Sequence, residues 1–211
     1  MDKGKGHFWI AVRAFRADGS SRLLKADRIT GWDEIVRLQN QYRVLNPGVA
    51  IDEGYDSTEV KSFCAARGYL ALRGDGRINS WVHKDTHGNS FKRPYSPFQP
   101  HYTVDGKIAY VVYFSNLHLK DCLSLLRLGR IVPFEVPADV ATEYGYHMAS
   151  EVRRDVVGTD GKITQRWTVV ADRPNHLFDC EVLQVTMAVM MGIIRLDENF
   201  AVTLEPAPAA A

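Results

Sequence analysis

Three aspartates occupy positions that solvation alone does not explain. Asp52 closes the apolar run Val49-Ala50-Ile51 and is followed by Glu53-Gly54, the pattern of a buried strand that delivers acids at its carboxyl end. Asp2 directly precedes Lys3-Gly4-Lys5-Gly6, a glycine-rich turn into the first long strand. Asp179 lies in the first turns of the most hydrophobic helical segment. Val182, Leu183, Thr186, Val189 and Met190 continue its stripe at helical spacing, so its carboxylate faces the core. A carboxylate there needs a base, backbone amides or a cation as partner. Each acid also has an ordinary reading, as a helix-dipole partner or as turn chemistry after a strand. Together they suggest a carboxylate cluster for divalent metal, and oxygen-rich sites of this kind suit Mg2+ or Mn2+. Two such ions about 4 Å apart can activate a water and stabilise the leaving oxygen in phosphodiester hydrolysis.

A second group of residues could hold the substrate of that chemistry. Between residues 61 and 107 eight bases face three acids, with Trp81, Phe91, Tyr95 and Tyr102 interleaved. Arg73, Arg77, Lys84, Lys92 and Arg93 are candidates for contact with nucleic-acid phosphates. The alternative is a solvated flap whose aromatics cover the edge of the core. His176 precedes Asp179 by three residues on the same helical face, where it assists at a phosphate or completes the helix cap. His83 and His87 have no helix signal around them and no further ligand nearby, so a zinc site is not expected. A serine hydrolase is disfavoured because no G-x-S-x-G occurs. No G-x-x-x-x-G-K-[ST] occurs either, so no ATP-binding residues are expected.

The elements that must position these residues follow from periodicity. Phe8 to Phe15 and Arg22 to Ile29 alternate around Asp18-Gly19-Ser20 as a hairpin. Thr30 to Glu34 caps a helix that Asn46-Pro47-Gly48 stops, and Val49 to Ile51 is a short buried strand. A helix opens at Ser57-Thr58-Glu59, closes at Arg67-Gly68, and leads to a strand over Tyr69 to Leu72. From Arg73 to Gly106 the pattern dissolves into a long irregular segment. Ile108 to Phe114 reads as a strand and Leu117 to Leu128 as a helix. Asp139 or Thr142 starts a helix running to about Arg154, and Val156 to Ala171 is a hairpin around Gly158-Thr159-Asp160-Gly161. Asn175 is the natural N-cap of a last helix, Leu177 to Ile194. This order predicts an α/β domain with a mixed central sheet, an N-terminal antiparallel hairpin and helices on both faces.

Composition narrows the class. The 211 residues are 45% hydrophobic and 24% charged with a net charge of +1, which fits one globular domain and excludes disorder or a chain-wide electrostatic bias. Cys64, Cys122 and Cys180 are odd in number and far apart, so buried thiols in a reducing compartment are expected. The longest apolar stretch, Val185 to Ile194, is about half a membrane span. An intracellular soluble domain over 1–204 is expected, with a flexible tail at 205–211.

Three strings point to a family. Asp2-Lys3-Gly4-Lys5-Gly6-His7-Phe8-Trp9-Ile10-Ala11-Val12 comes first, then Ala50-Ile51-Asp52-Glu53-Gly54-Tyr55 with Thr58-Glu59-Val60 and Phe63-Cys64. Asn175-His176-Leu177-Phe178-Asp179-Cys180-Glu181 comes last. In order and spacing the chain resembles the nuclease domain of lambda-type bacteriophage terminase large subunits. The resemblance implies a ribonuclease H-like fold whose acids, falling on Asp2, Asp52 and Asp179, bind two Mg2+ or Mn2+ ions and cut double-stranded DNA in viral genome packaging. Glu53, Asp56, His176 and Glu181 are candidates for support around those ligands. Implied partners are DNA, a terminase ATPase domain, a small terminase subunit and a capsid portal, in the host cytoplasm and without a membrane. In the family several residues precede the first acid, whereas here only Met1 does, which predicts either a continuation upstream or a poorly anchored first ligand. Alternatives are a resolvase or transposase core of the same fold, or a non-catalytic packaging module.

Overall fold

Alternation along the strands decides which helices cover which face of the sheet. The computed structural model describes residues 1–159 and 161–203. The chain opens with β1 (Asp2–Gly4), β2 (His7–Phe15) and β3 (Ser21–Ile29), paired antiparallel in that order. α1 (Trp32–Gln41) leads to β4 (Ala50–Asp52), and α2 (Ser57–Arg67) leads to β5 (Leu70–Asp75), parallel to β4. β6 (Trp81–Lys84) and β7 (Ser90–Arg93) form a separate hairpin. β8 (Gln99–Tyr102) runs antiparallel to β9 (Ile108–Ser115), which is parallel to β5. α3 (Asn116–Arg127) precedes β10 (Phe134–Glu135), which is parallel to β3. α4 (Thr142–Met148), the hairpin of β11 (Glu151–Val157) and β12 (Ile163–Val169), and α5 (His176–Met190) follow. A short ribbon of β13 (Arg195–Leu196) and β14 (Val202–Thr203) comes last.

Met1 joins the two halves of the sheet. Its amino group donates to the Ala50 carbonyl at 3.0 Å, and the Asp52 amide donates to the Met1 carbonyl at 2.8 Å, the bond pattern of a parallel ladder. The strand order is therefore β10-β3-β2-β1-β4-β5-β9-β8. The first acid is thus fixed on both sides despite the three-residue strand that carries it, and the poor anchoring expected from sequence is not what the structure has.

Successive side chains of the central strands face opposite layers. Phe8, Ile10, Ile51, Ala71 and Val111 pack with Ile35 of α1 and with Val60 and Cys64 of α2. Trp9, Ala11, Ala50, Leu72 and Val112 pack with Leu119 and Leu123 of α3 and with Phe178 and Leu183 of α5. Two covered faces are why β4, β5 and β9 read as nearly continuous apolar runs. This is the mixed α/β sheet with helices on both faces that the residue pattern predicts. All three cysteines are free and buried, and burial pushes their thiols up to about 12. No helix among the described residues is long and apolar enough to cross a membrane.

Four segments depart from expectation. The span 73–106 is not irregular: β5 continues to Asp75, and β6, β7 and β8 lie within it. The β6–β7 turn is built by the Asp85 carboxylate, which accepts from the His87 and Asn89 amides at 2.8 Å, with Gly88 at φ +85°. The helix expected to run to Arg154 stops at Met148, because Glu151 to Val157 pairs residue by residue with Ile163 to Val169. α5 ends at Met190 rather than Ile194, where Gly192 turns at φ +70°. Asn175 does precede α5, but its side chain gives no cap and its Nδ2 donates instead to Glu151 Oε1 at 2.8 Å. Asp160 of the expected Gly158–Gly161 turn and the tail at 205–211 lie outside the described residues.

Candidate active site

Asp2 stands on β1 opposite Trp9 of β2. Its Oδ2 accepts from His176 Nδ1 at 2.6 Å. A carboxylate can only accept, so this assigns the imidazole proton to Nδ1. The imidazole stacks on Trp9, with ring centroids 5.7 Å apart and planes 6° from parallel. The hydrogen bond to Asp2 raises the His176 pKa above its ordinary value against the opposing effect of partial burial.

Asp52 ends β4. Burial, followed by the charge of Asp2, raises its carboxyl to about 6, and a hydrogen bond from the Gly54 backbone opposes the shift. A Cβ on Gly54 would lie 2.9 Å from Asp52 Oδ2, so a larger residue there would have to shift that carboxylate. Asp179 lies three residues beyond His176 on α5 and keeps 35% of its side chain exposed. Burial raises its carboxyl to about 7; Lys120 pulls it down, while the charges of Glu151, Asp2 and Asp52 push it up.

Asp52 and Asp179 line one cleft of about 300 Å3 together with Arg73, Asn116 and Lys120. Asp2 acts on both carboxyls through its charge. Among the described residues no three His, Cys, Asp or Glu side chains stand close enough to form a ready-made metal cluster. The three acids share a field, and two of them a cleft, without meeting.

A family model described as terminase large subunit gpA, endonuclease domain, matches residues 33–198. The chain belongs to that family. The gpA endonuclease match takes in Asp52, His176 and Asp179, while Asp2 precedes it. No curated protein and no solved structure matches the chain.

The candidate site holds residues that the sequence alone does not single out. Lys120 and Asn116 face the cleft from α3, and Glu151, at the start of β11, accepts from Lys120 Nζ at 2.8 and 2.7 Å. The available signal was Lys120 itself, a charge on the apolar stripe of Leu119, Cys122, Leu123 and Leu126. Gly74 and Asn116 are in close contact, since a Cβ on Gly74 would lie 2.3 Å from Asn116 Oδ1.

The remaining candidates are scattered. Glu53 is fully buried, where it accepts from Ser57 Oγ at 2.7 Å and pairs with Lys61 at 3.0 Å and Arg73 at 3.5 Å. Asp56 caps α2, and its carboxylate takes Lys3 Nζ at 3.1 Å. Glu181 points away from the acids: Arg13 grips it through two bonds of 2.9 Å, and Tyr144 donates at 2.9 Å. That network, with both side chains of the ion pair fully buried, joins α5 to β2 and α4 and does not touch Asp179. Arg73 reaches the cleft, and the Arg77 amide bonds Asp75 in a turn. Lys84, Lys92 and Arg93 ride on the β6–β7 hairpin. His83 Nε2 meets the Tyr95 carbonyl at 2.7 Å, and His87 lies in the hairpin turn.

Proposed function

We propose that this chain is a Mg2+- or Mn2+-dependent endonuclease that cuts double-stranded DNA, acting in viral genome packaging as a terminase large-subunit nuclease. The observation that carries this reading is the pair Asp52 and Asp179, which line one cleft with carboxyls raised by burial and by the charge of Asp2. The donor set fits a hard divalent cation: carboxylate oxygens from β1, β4 and α5, under mutual repulsion that a cation relieves. Asp2, Asp52 and Asp179 would hold two ions, which when bound supply a water of lowered pKa and positive charge at the leaving 3′ oxygen.

The chain's own groups prepare that place. His176 orients the Asp2 carboxylate, and Gly54 leaves Asp52 room. Arg73 at the cleft, with Arg77, Lys84, Lys92 and Arg93, would take DNA phosphates, contacts that position a duplex without reading its sequence. Cleavage is therefore weakly sequence-specific. Recognition and timing would come from a terminase ATPase domain, a small subunit and a portal in the host cytoplasm.

The test is supercoiled plasmid with Mn2+. The parent nicks and linearises it, and Asp52→Asn and Asp179→Asn each cut at least about 100-fold more slowly. Variants as active as the parent would overturn the reading. A second reading, a non-catalytic packaging module, draws on the absence of a ready-made cluster among the described residues and on the partners, His176 and Lys120, already beside Asp2 and Asp179. A folded parent that leaves the plasmid intact favours it. Faster cutting of four-way junctions than of linear duplex would favour a resolvase-type substrate.

A further inference from the structure

Lys120 is a cation locked into the acid cleft. It is 8% exposed, and the other buried residues of α3, Leu119, Cys122, Leu123 and Leu126, are apolar. Its ammonium is held by both carboxylate oxygens of Glu151, lies 3.5 Å from Asp179 Oδ1 and sits 5.5 Å from the Phe178 ring centroid. Glu151 is itself 7% exposed and fixed by Asn175. Neither end of the Lys120–Glu151 pair is free to drift. The ammonium therefore keeps its place beside Asp179 rather than sampling solvent, as a surface lysine would.

We propose that Lys120, held by Glu151, is the resident counter-cation of Asp179 and sets how tightly that acid takes a divalent ion. This rests on the nuclease reading above, in which Asp179 is a ligand. An ammonium and a metal ion compete for one carboxylate, and their like charges repel across a partly desolvated cleft. An incoming ion must share Asp179 with Lys120 or move it aside. Lys120 is thus a positioning residue acting through Asp179, and it weakens metal uptake while keeping the acid in place when no ion is bound.

Mn2+ binding without DNA, followed by the electron paramagnetic resonance signal of the free ion, tests this independently of cleavage. Lys120→Met binds Mn2+ about tenfold more tightly than the parent, and Lys120→Arg stays within about twofold of it. In an Asp179→Asn background Lys120→Met changes affinity less than about twofold, the signature of coupling through that carboxylate. Lys120→Met/Glu151→Gln keeps the test alive if the single variant fails to fold, because it removes the stranded buried charge. That double variant also binds more tightly than the parent. If Asp179→Asn leaves parental Mn2+ affinity unchanged, the metal reading itself fails. If that substitution weakens binding but neither Lys120 variant binds more tightly than the parent, the present proposal alone is overturned.

Discussion

At the scale of single residues, Asp52 shows how a gathering of acids and stability oppose each other. Its carboxyl titrates near 6, above the ordinary 3.8, so the folded chain holds the proton more tightly than the unfolded chain does. The stability this gives is complete below about pH 4 and is lost as pH rises through 6. Asp179, raised to about 7, follows the same sign. Without metal, Asp52→Asn should melt about 2–4 °C above the parent at pH 8, what roughly 1 kcal/mol is worth in a chain of this size, and level with it at pH 4. Thermal unfolding followed by circular dichroism in EDTA checks this, and equal midpoints at pH 8 would refute it. Asp52 and Asp179 were legible because an acid ending an apolar run or continuing an apolar stripe is out of place by itself. Lys120 carries the same signal on α3. Glu181 carries it on α5, but its partner Arg13 is 168 residues away, and no local pattern says whether a buried acid meets a metal or an arginine.

At the scale of elements, the β6–β7 hairpin separates two kinds of side chain that the sequence mixes. Val82 lies opposite Lys92 and Lys84 opposite Ser90, so the two lysines share one face. On the other face His83 stacks against Phe91 at 5.7 Å and meets Tyr95 at 5.2 Å, while Arg93 covers Phe91 at 5.0 Å. The aromatic cover therefore occupies one face, and the two exposed lysines proposed to take phosphates lie on the other. The strands escaped sequence reading because neither face is buried enough to show an apolar alternation, whereas β2, packed on both sides, showed its pattern plainly. Lys84→Ala/Lys92→Ala should weaken duplex binding and reduce the slope of log affinity against log salt by about 2, with an unchanged melting point. Fluorescence anisotropy over a salt series measures it. An unchanged slope would remove the hairpin from the DNA surface.

At the scale of the whole molecule, the Arg13–Glu181 pair ties the layers together. Arg13 of β2 also donates to Ser21 Oγ at 3.3 Å and to the Glu135 carbonyl at 3.1 Å, and its guanidinium lies 3.6 Å from the Phe134 ring centroid. One buried residue thus reaches β3, β10 and α5. Glu181→Ala strands the guanidinium and should cost about 3–5 kcal/mol, read as a lower midpoint in urea. A loss under about 1 kcal/mol would mean that the pair is not a structural tie. The same long reach has a consequence in time. Asp2 and His176 touch across 174 residues of sequence, so β1 can be laid beside β2 early in synthesis while its acid still lacks its companions. A growing chain that has not yet made α5 has the sheet's first acids but neither His176 nor Asp179. The candidate site is complete only once α5 is made, so on the nuclease reading a partly made chain would leave DNA intact.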